Sequence, residues 1–231
     1  ALFNDFEPIA DGELREAIEA VFDRAGLATS EIYTMDASRR STQLNAYFIG
    51  FGRTKRVVLF DTLLEKMERA ELQSVLAHEL AHWKKAHIWT QFAVGAVQIA
   101  VVVAALGWLA DFGPLYATFS IPESATYAGL LLAILIVSPL LQFTAPLSNA
   151  LSLKHEREAD AYAAEVMDAQ SMIDALGRLA DENLANPFPH PWYARFHHSH
   201  PPIPERIRLL SDQTDDGTAG STPQPPATGD D

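Results

Sequence analysis

The segment His78-Glu79-Leu80-Ala81-His82 is the part of this sequence best equipped for chemistry. Histidines four apart on a helix project from one face, where two imidazoles can share one divalent ion. Glu79 stands about 100° round the helix from His78. From that azimuth a carboxylate reaches a water beside the ion without joining the ligand set. A metal lowers the pKa of such a water toward neutrality, and the carboxylate passes the proton on to a leaving amine. The spacing therefore predicts zinc-assisted hydrolysis, with one zinc per chain and Glu79 as general base. A chance match on a surface helix is the competing reading.

A catalytic zinc of this kind takes three protein ligands. In one large group of enzymes the third is a histidine six residues after the second; here that position is Ile88. His87 lies about 180° from His78 on the helix and cannot reach the same ion, so it reads as a polar residue at a membrane boundary. The chain has no cysteine, which leaves only histidines and carboxylates. The remaining candidate is Lys154-His155-Glu156-Arg157-Glu158-Ala159-Asp160. Glu156 and Asp160 share a helix face, and Glu158 points roughly opposite Glu156. One carboxylate could complete the site while the other supports a ligand imidazole from behind; an acidic helix start explains the same residues. His197, His198 and His200, taken with His78 and His82, superficially resemble the histidine boxes of membrane di-iron oxidoreductases. That alternative needs more boxes than His155 and His190 can supply. A non-catalytic membrane binding protein on the same scaffold is disfavoured by Glu79, since a scaffold needs no base.

Several elements must hold these groups. Residues 11–26 read as an amphipathic helix, capped by Asp11, with Leu14, Ile18, Val21 and Phe22 on one stripe and Gly26 at C′. Ile32–Met35, Gln43–Gly50 and Arg56–Phe60 are short β-branched and aromatic runs, which predict a small antiparallel sheet. Asn45 to Ile49 reads as core sheet or as an edge strand pairing with an extended substrate, roles that can coexist. Thr62 and Glu65 read as a capping box for the next helix. The helix of the two histidines starts near Glu71 and is expected to continue into Ile88–Ala110, a charge-free run of about 34 Å, long enough to span a bilayer. A second charge-free run covers Ser124–Leu153, where Pro139 and Pro146 should kink or end the helix. Two buried helices of a soluble protein are the alternative. Trp83 and Trp89 at the edge of the first run suit an interfacial aromatic belt.

Lys84, Lys85, Lys154 and Arg157 flank the outer ends of the two spans, whereas the connection from Asp111 to Glu123 has no Lys or Arg. The positive-inside rule then places both large flanks in the cytoplasm. The net charge of −13 argues against a nucleic-acid partner. No signal peptide is read at Ala1. Residues 211–231 are Asp, Thr, Gly, Pro and Ser with almost nothing apolar, the composition of a disordered tail.

The motifs together resemble a known family. His78-Glu79-Leu80-Ala81-His82-Trp83-Lys84, Asn149-Ala150-Leu151-Ser152, Glu156-Arg157-Glu158-Ala159-Asp160-Ala161-Tyr162-Ala163 and His200-Pro201-Pro202-Ile203-Pro204-Glu205-Arg206-Ile207 are similar to the type 1 CAAX prenyl endopeptidases. Asn45 to Leu63 and Leu2 to Glu16 carry the likeness further, so that it covers residues 2 to about 210. The resemblance implies membrane helices around a chamber and a cytosol-facing zinc domain. It implies His78, His82 and Glu156 as zinc ligands, Glu79 as base and Asp160 behind a ligand. It gives His200 and Arg206 the polarising of the scissile carbonyl. Read without the resemblance, His200 could equally cap a C-terminal helix and Arg206 pair with a surface carboxylate. Family members carry further spans ahead of the point where this sequence begins. Leu153 stands where the family commonly has Arg, so no role is carried over to it.

The fold class expected is α+β: a mainly helical, zincin-like domain with a small antiparallel sheet, plus two transmembrane helices. Residues 1–87 form the first part of the zinc domain, 88–153 the spans and their external loop, 154–210 the rest of the catalytic domain, and 211–231 the tail. The function expected is a multi-pass membrane zinc metalloendopeptidase acting in the bilayer on a peptide or protein substrate, with Asn45 and Ala46 binding it. The family name implies a prenylated Cys-a-a-X end. A heat-shock-type membrane quality-control metalloprotease is the alternative within the class.

Overall fold

The computed structural model describes residues 4–27, 31–49, 56–182, 186 and 188–219. They fall into two compact units. The first takes the chain up to His82, then Arg157–Pro189, then from Pro201 onward; the second takes Trp83–Glu156 and His190–His200.

The first unit opens with strand β1 (Phe6–Pro8) and helix α1 (Glu13–Arg24). Ile18, Val21 and Phe22 are fully buried, as the stripe predicts. The helix starts one residue later than expected, with Gly12 instead of Asp11 as N-cap and without a side-chain cap. Asp11 instead lies 3.6 Å from Arg15. Gly26 does close the helix: at φ 69° it donates to Asp23 while Leu27 donates to Phe22, the paired bonds of a left-handed C-terminal cap.

Strands β2 (Glu31–Met35), β3 (Ala46–Ile49) and β4 (Arg56–Phe60) join β1 in a sheet of order β1-β2-β4-β3. The sheet is mixed, which corrects the antiparallel expectation: β2 and β4 run parallel, Ile32 opposite Val57. Parallel neighbours need a crossover, and here β3 belongs to that crossover, returning to the outer edge of β4. Helix α2 (Asp61–Lys66) follows directly. The Thr62–Glu65 capping box is absent, because Thr62 Oγ1 donates to the Gln43 carbonyl at 2.7 Å and Asp61 Oδ1 accepts the N–H groups of Ser38 and Thr62.

Helix α3 (Arg69–Lys84) carries both histidines through the core. Leu76 and Leu80 on it are completely buried; trimming either to Ala would cost about 2–5 kcal/mol. Its N-terminus is pinned by Glu71, which accepts from the Glu68 backbone N–H at 2.8 Å and from Arg178 at 2.8 and 3.0 Å. Arg178 sits on α8 (Ala169–Glu182). The expected continuous helix breaks after Lys84: Ala86 adopts φ 56°, a left-handed conformation that ends the helical hydrogen-bond ladder.

The second unit begins with α4 (His87–Ala110), followed by α5 (Gly113–Thr118) and α6 (Thr126–Leu141). Helix α4 and the helical run Thr126–Val166, which opens with α6 and whose charge-free part ends at Leu153, are each long and apolar enough to cross a membrane. Most of α4 is exposed, with Phe92, Ile99 and Val103 each more than 60% accessible. A face of that kind requires lipid or protein against it. Gly129 lets α6 meet the connection before it, since a methyl group there would collide with the Tyr116 ring. Pro139 sits in the last turn of α6, a 3-10 turn covers Gln142–Thr144, and Pro146 falls in the first turn of α7 (Ala145–Val166). A first-turn proline gives up no helical bond.

Short helix α9 (Pro191–His197) belongs to the second unit. Helix α10 (Ile203–Ala219) belongs to the first. Ser211–Ala219 are therefore helical where composition predicts no order, and residues 220–231 lie outside the described ones.

Candidate active site

The buried path of α3 sets the site. His78 is 6% exposed and His82 half-buried, and their Nε2 atoms lie 3.2 Å apart. Two ligands about 2.0–2.1 Å from a tetrahedral zinc are separated by roughly 3.3 Å. The spacing of the two lone pairs therefore fits one such ion. His78 Nδ1 is 2.9 Å from Asp160 Oδ1. With Nδ1 donating there, the tautomer leaves the His78 Nε2 lone pair for a metal.

Asp160 is itself clamped. Arg206, at the start of α10, donates from Nε to Oδ2 at 2.8 Å and from its terminal nitrogen to Oδ1 at 2.5 Å. Burial by itself would push the Asp160 carboxyl up. Hydrogen bonds from Arg206 and His78, with their charges, outweigh it and hold Asp160 below the usual carboxylate range. Lys154, which closes the charge-free run, lies before it, so Asp160 is outside the apolar span.

Helix α7 runs unbroken through Glu156 and Asp160, which puts Glu156 one turn earlier on the same buried face. His78, His82 and Glu156 form a group able to hold a metal ion, each offering one ligand atom within 4.8 Å of the others. Glu79 is half-buried beside them in the sequence. Glu158 is also half-buried and is not in that group. Among the described residues this is the one three-ligand group, which leaves no assembled set of histidine boxes. His87 and His155 are buried and stacked face to face at 4.0 Å. His197 and His198 pack against Tyr193.

His200 presents a 65% exposed side chain whose Nδ1 is 2.8 Å from Glu156 Oε2. Arg206, by contrast, is buried, and its fork on Asp160 is a contact that sequence reasoning missed. Asn45 is exposed and Ala46 buried, where the chain enters the edge strand β3. The Phe60 N–H bonds to the Asn45 carbonyl, which makes Ala46 and Leu59 a pair not hydrogen-bonded to each other. The N–H and C=O of Ala46 therefore point away from β4, and Asn45 Oδ1 accepts that N–H at 2.9 Å.

The paired-histidine helix and the carboxylate helix together could hold a metal ion, and comparison with known proteins gives the family. Residues 8–214 match the model of peptidase family M48, and the chain belongs to that family. A rice (Oryza sativa subsp. japonica) CAAX prenyl protease 1 homolog is 35% identical over 91% of this chain and 50% of its own length. CAAX prenyl protease 1 of Saccharomyces cerevisiae is 34% identical over 90% of this chain and 50% of its length. The crystal structure of S. mikatae Ste24p superposes with a TM-score of 0.81 at 33% identity, covering 90% of this chain and 52% of that one. The chain thus spans about half the length of the relatives it matches. The resemblance read from the motifs is borne out.

Proposed function

We propose that this chain is the catalytic part of a multi-pass membrane zinc metalloendopeptidase that cleaves near the C-terminus of prenylated, CAAX-type proteins. The observation that carries the reading is the group His78, His82 and Glu156, with the two imidazole nitrogens spaced for one tetrahedral ion. When bound, zinc supplies Lewis acidity that polarises a carbonyl and acidifies water. The chain's residues do the rest. Glu79 takes the proton of the attacking water and delivers it to the departing amine. Asp160 fixes the His78 tautomer, and Arg206 holds Asp160 charged while keeping positive charge nearby. His200 offers an imidazole N–H to the oxygen that becomes negative in the tetrahedral intermediate.

Ala46 extends this reading to the substrate. Its outward N–H and C=O suit the backbone of an extended peptide added to the β3 edge, with the Asn45 side chain giving up its bond as the peptide arrives. Lys84, Lys85, Lys154 and Arg157, set against a 111–123 connection with no Lys or Arg, support a catalytic part that faces the cytoplasm. The zincin-like domain then takes residues 1–87 and 154–210, the bilayer houses the helices between them, and no nucleic acid is involved.

The test is cleavage of a farnesylated Cys-a-a-X peptide against the same peptide unmodified, with the protein in lipid. A kcat/KM at least about tenfold higher for the farnesylated form supports the reading, since a buried prenyl chain is worth more than that. Equal cleavage of both, together with degradation of unfolded membrane proteins, would favour a quality-control protease.

A further inference from the structure

The motif Asn149-Ala150-Leu151-Ser152 has no part in the chemistry above, yet it lies two turns before Glu156 on α7. Its neighbourhood is well held. Gln98 of α4 donates to Ser148 at 2.7 Å, and Gln91 lies 3.5 Å from Ser152, so two polar rungs fix this stretch of α7 against the first span. Polar side chains in such a helix are costly unless they meet across an interface. The His87–His155 ring stack adds a third rung toward the Glu156 end.

Asn149 points elsewhere, about 100° round from Ser148. Its Nδ2 donates to the Phe196 carbonyl at 2.8 Å. That carbonyl lies in the last turn of α9, where the helix has no N–H of its own to offer and the oxygen is left without an internal donor. Beyond it the chain turns extended at His198 and reaches His200, four residues on, with Nδ1 2.8 Å from Glu156 Oε2. The two ends of this short path are thus both tied to α7, one at Asn149 and one at Glu156. Between them His200 is 65% exposed and has little packing to hold it.

We propose that Asn149 is a positioning residue for His200: its amide anchors the end of α9 so that the exposed imidazole is held against Glu156 rather than swinging in solvent. The inference rests on the reading of His200 as the donor to the scissile carbonyl. Removing the anchor lowers the fraction of molecules with His200 in place and leaves the metal ligands untouched. Turnover then falls about threefold to tenfold, the range expected for one neutral hydrogen bond. Substrate binding, which does not use His200 in the ground state, is unchanged.

The experiment compares wild type, Asn149→Ala, His200→Ala and the double variant in lipid nanodiscs. It reads kcat, KM, zinc content and hydrogen exchange of the peptide spanning 190–200. Expected are a threefold to tenfold loss of kcat in Asn149→Ala with KM and zinc unchanged (the range estimated above), faster exchange at 197–200, and non-additivity. Once His200 is gone, adding Asn149→Ala should cost less than about twofold, the scatter of independent sites. Asn149→Asp keeps the shape but turns an acceptor toward the carbonyl, so its loss should match or exceed that of alanine. Wild-type turnover in Asn149→Asp overturns the proposal, as does a full Asn149→Ala loss that persists without His200. If His200→Ala has wild-type kcat, the role given to His200 fails. The anchor is then judged by exchange alone, and unchanged protection at 197–200 overturns it.

Discussion

Replacing Asp160 with Asn tests how the buried clamp serves the metal. The side chain keeps its shape but loses its charge, and it touches two groups with different consequences. Toward His78 the lost interaction is a charge-assisted hydrogen bond at 2.9 Å, worth about 1.5–3 kcal/mol. That range corresponds to roughly 10–100-fold in zinc affinity, the usual cost of removing the group behind a ligand histidine. Toward Arg206 the effect is on folding. Arg206 is 9% exposed, and breaking one half of a buried ion pair costs about 3–5 kcal/mol. Asp160→Asn should therefore lower both zinc affinity, measured by chelator competition, and the melting temperature of the apo protein. The double variant Asp160→Asn/Arg206→Met separates the two: the buried charge is gone and stability should largely return, while zinc affinity stays low. Zinc affinity within about twofold of wild type in the single variant, inside the scatter of additivity, would refute the idea that Asp160 orients His78.

Further outcomes follow from the same geometry. Glu79→Gln should retain about one zinc and lose nearly all turnover, because a base is removed and no ligand is; zinc loss or retained activity would exclude that role. Zinc content should drop in Glu156→Gln and persist in Glu158→Gln, read by atomic absorption, since only Glu156 belongs to the three-ligand group; the reverse would move the ligand from Glu156 to Glu158. Asp160 is held below its ordinary value near 3.9. Its contribution to stability is thus complete above about pH 4 and is lost as pH falls through the lower folded value, an acid limb that should be missing from melts of the Asp160→Asn/Arg206→Met variant. For topology, Gly113→Cys should react with an impermeant thiol reagent from outside intact cells and Thr214→Cys should not; the chain has no cysteine of its own to confuse the labelling. Labelling of Thr214→Cys from outside would invert the orientation.

What the sequence revealed was local. The α1 stripe, the Gly26 cap and the His78–His82 pair depend on helical periodicity, which neighbouring residues encode. The two apolar helices were legible for the same reason. The parallel pairing of β2 with β4 was not, because short strands close in sequence look like successive hairpins and only tertiary packing sends β3 to the outer edge. Strand β1 is three residues ending in Pro8, too short to show a period. Ala86 breaks the helix with neither Gly nor Pro to signal it. The Glu71–Arg178 and Asp160–Arg206 pairs join residues 107 and 46 positions apart, and no local pattern marks such partners. Arg206 was singled out by motif, yet its fork on Asp160 could be found only by placing α10 beside α7. Asn149 shows the same limit, since its motif was visible while its partner at Phe196 was not.

The most direct test joins metal and cleavage in a single titration. The purified protein is stripped with chelator, zinc is returned in steps, and bound metal and hydrolysis of a farnesylated peptide are followed together. The site described here predicts no cleavage in the stripped protein and activity rising in proportion to zinc, with a break at one ion per chain. Cleavage that survives complete removal of metal, or a requirement for two irons per chain, would contradict it.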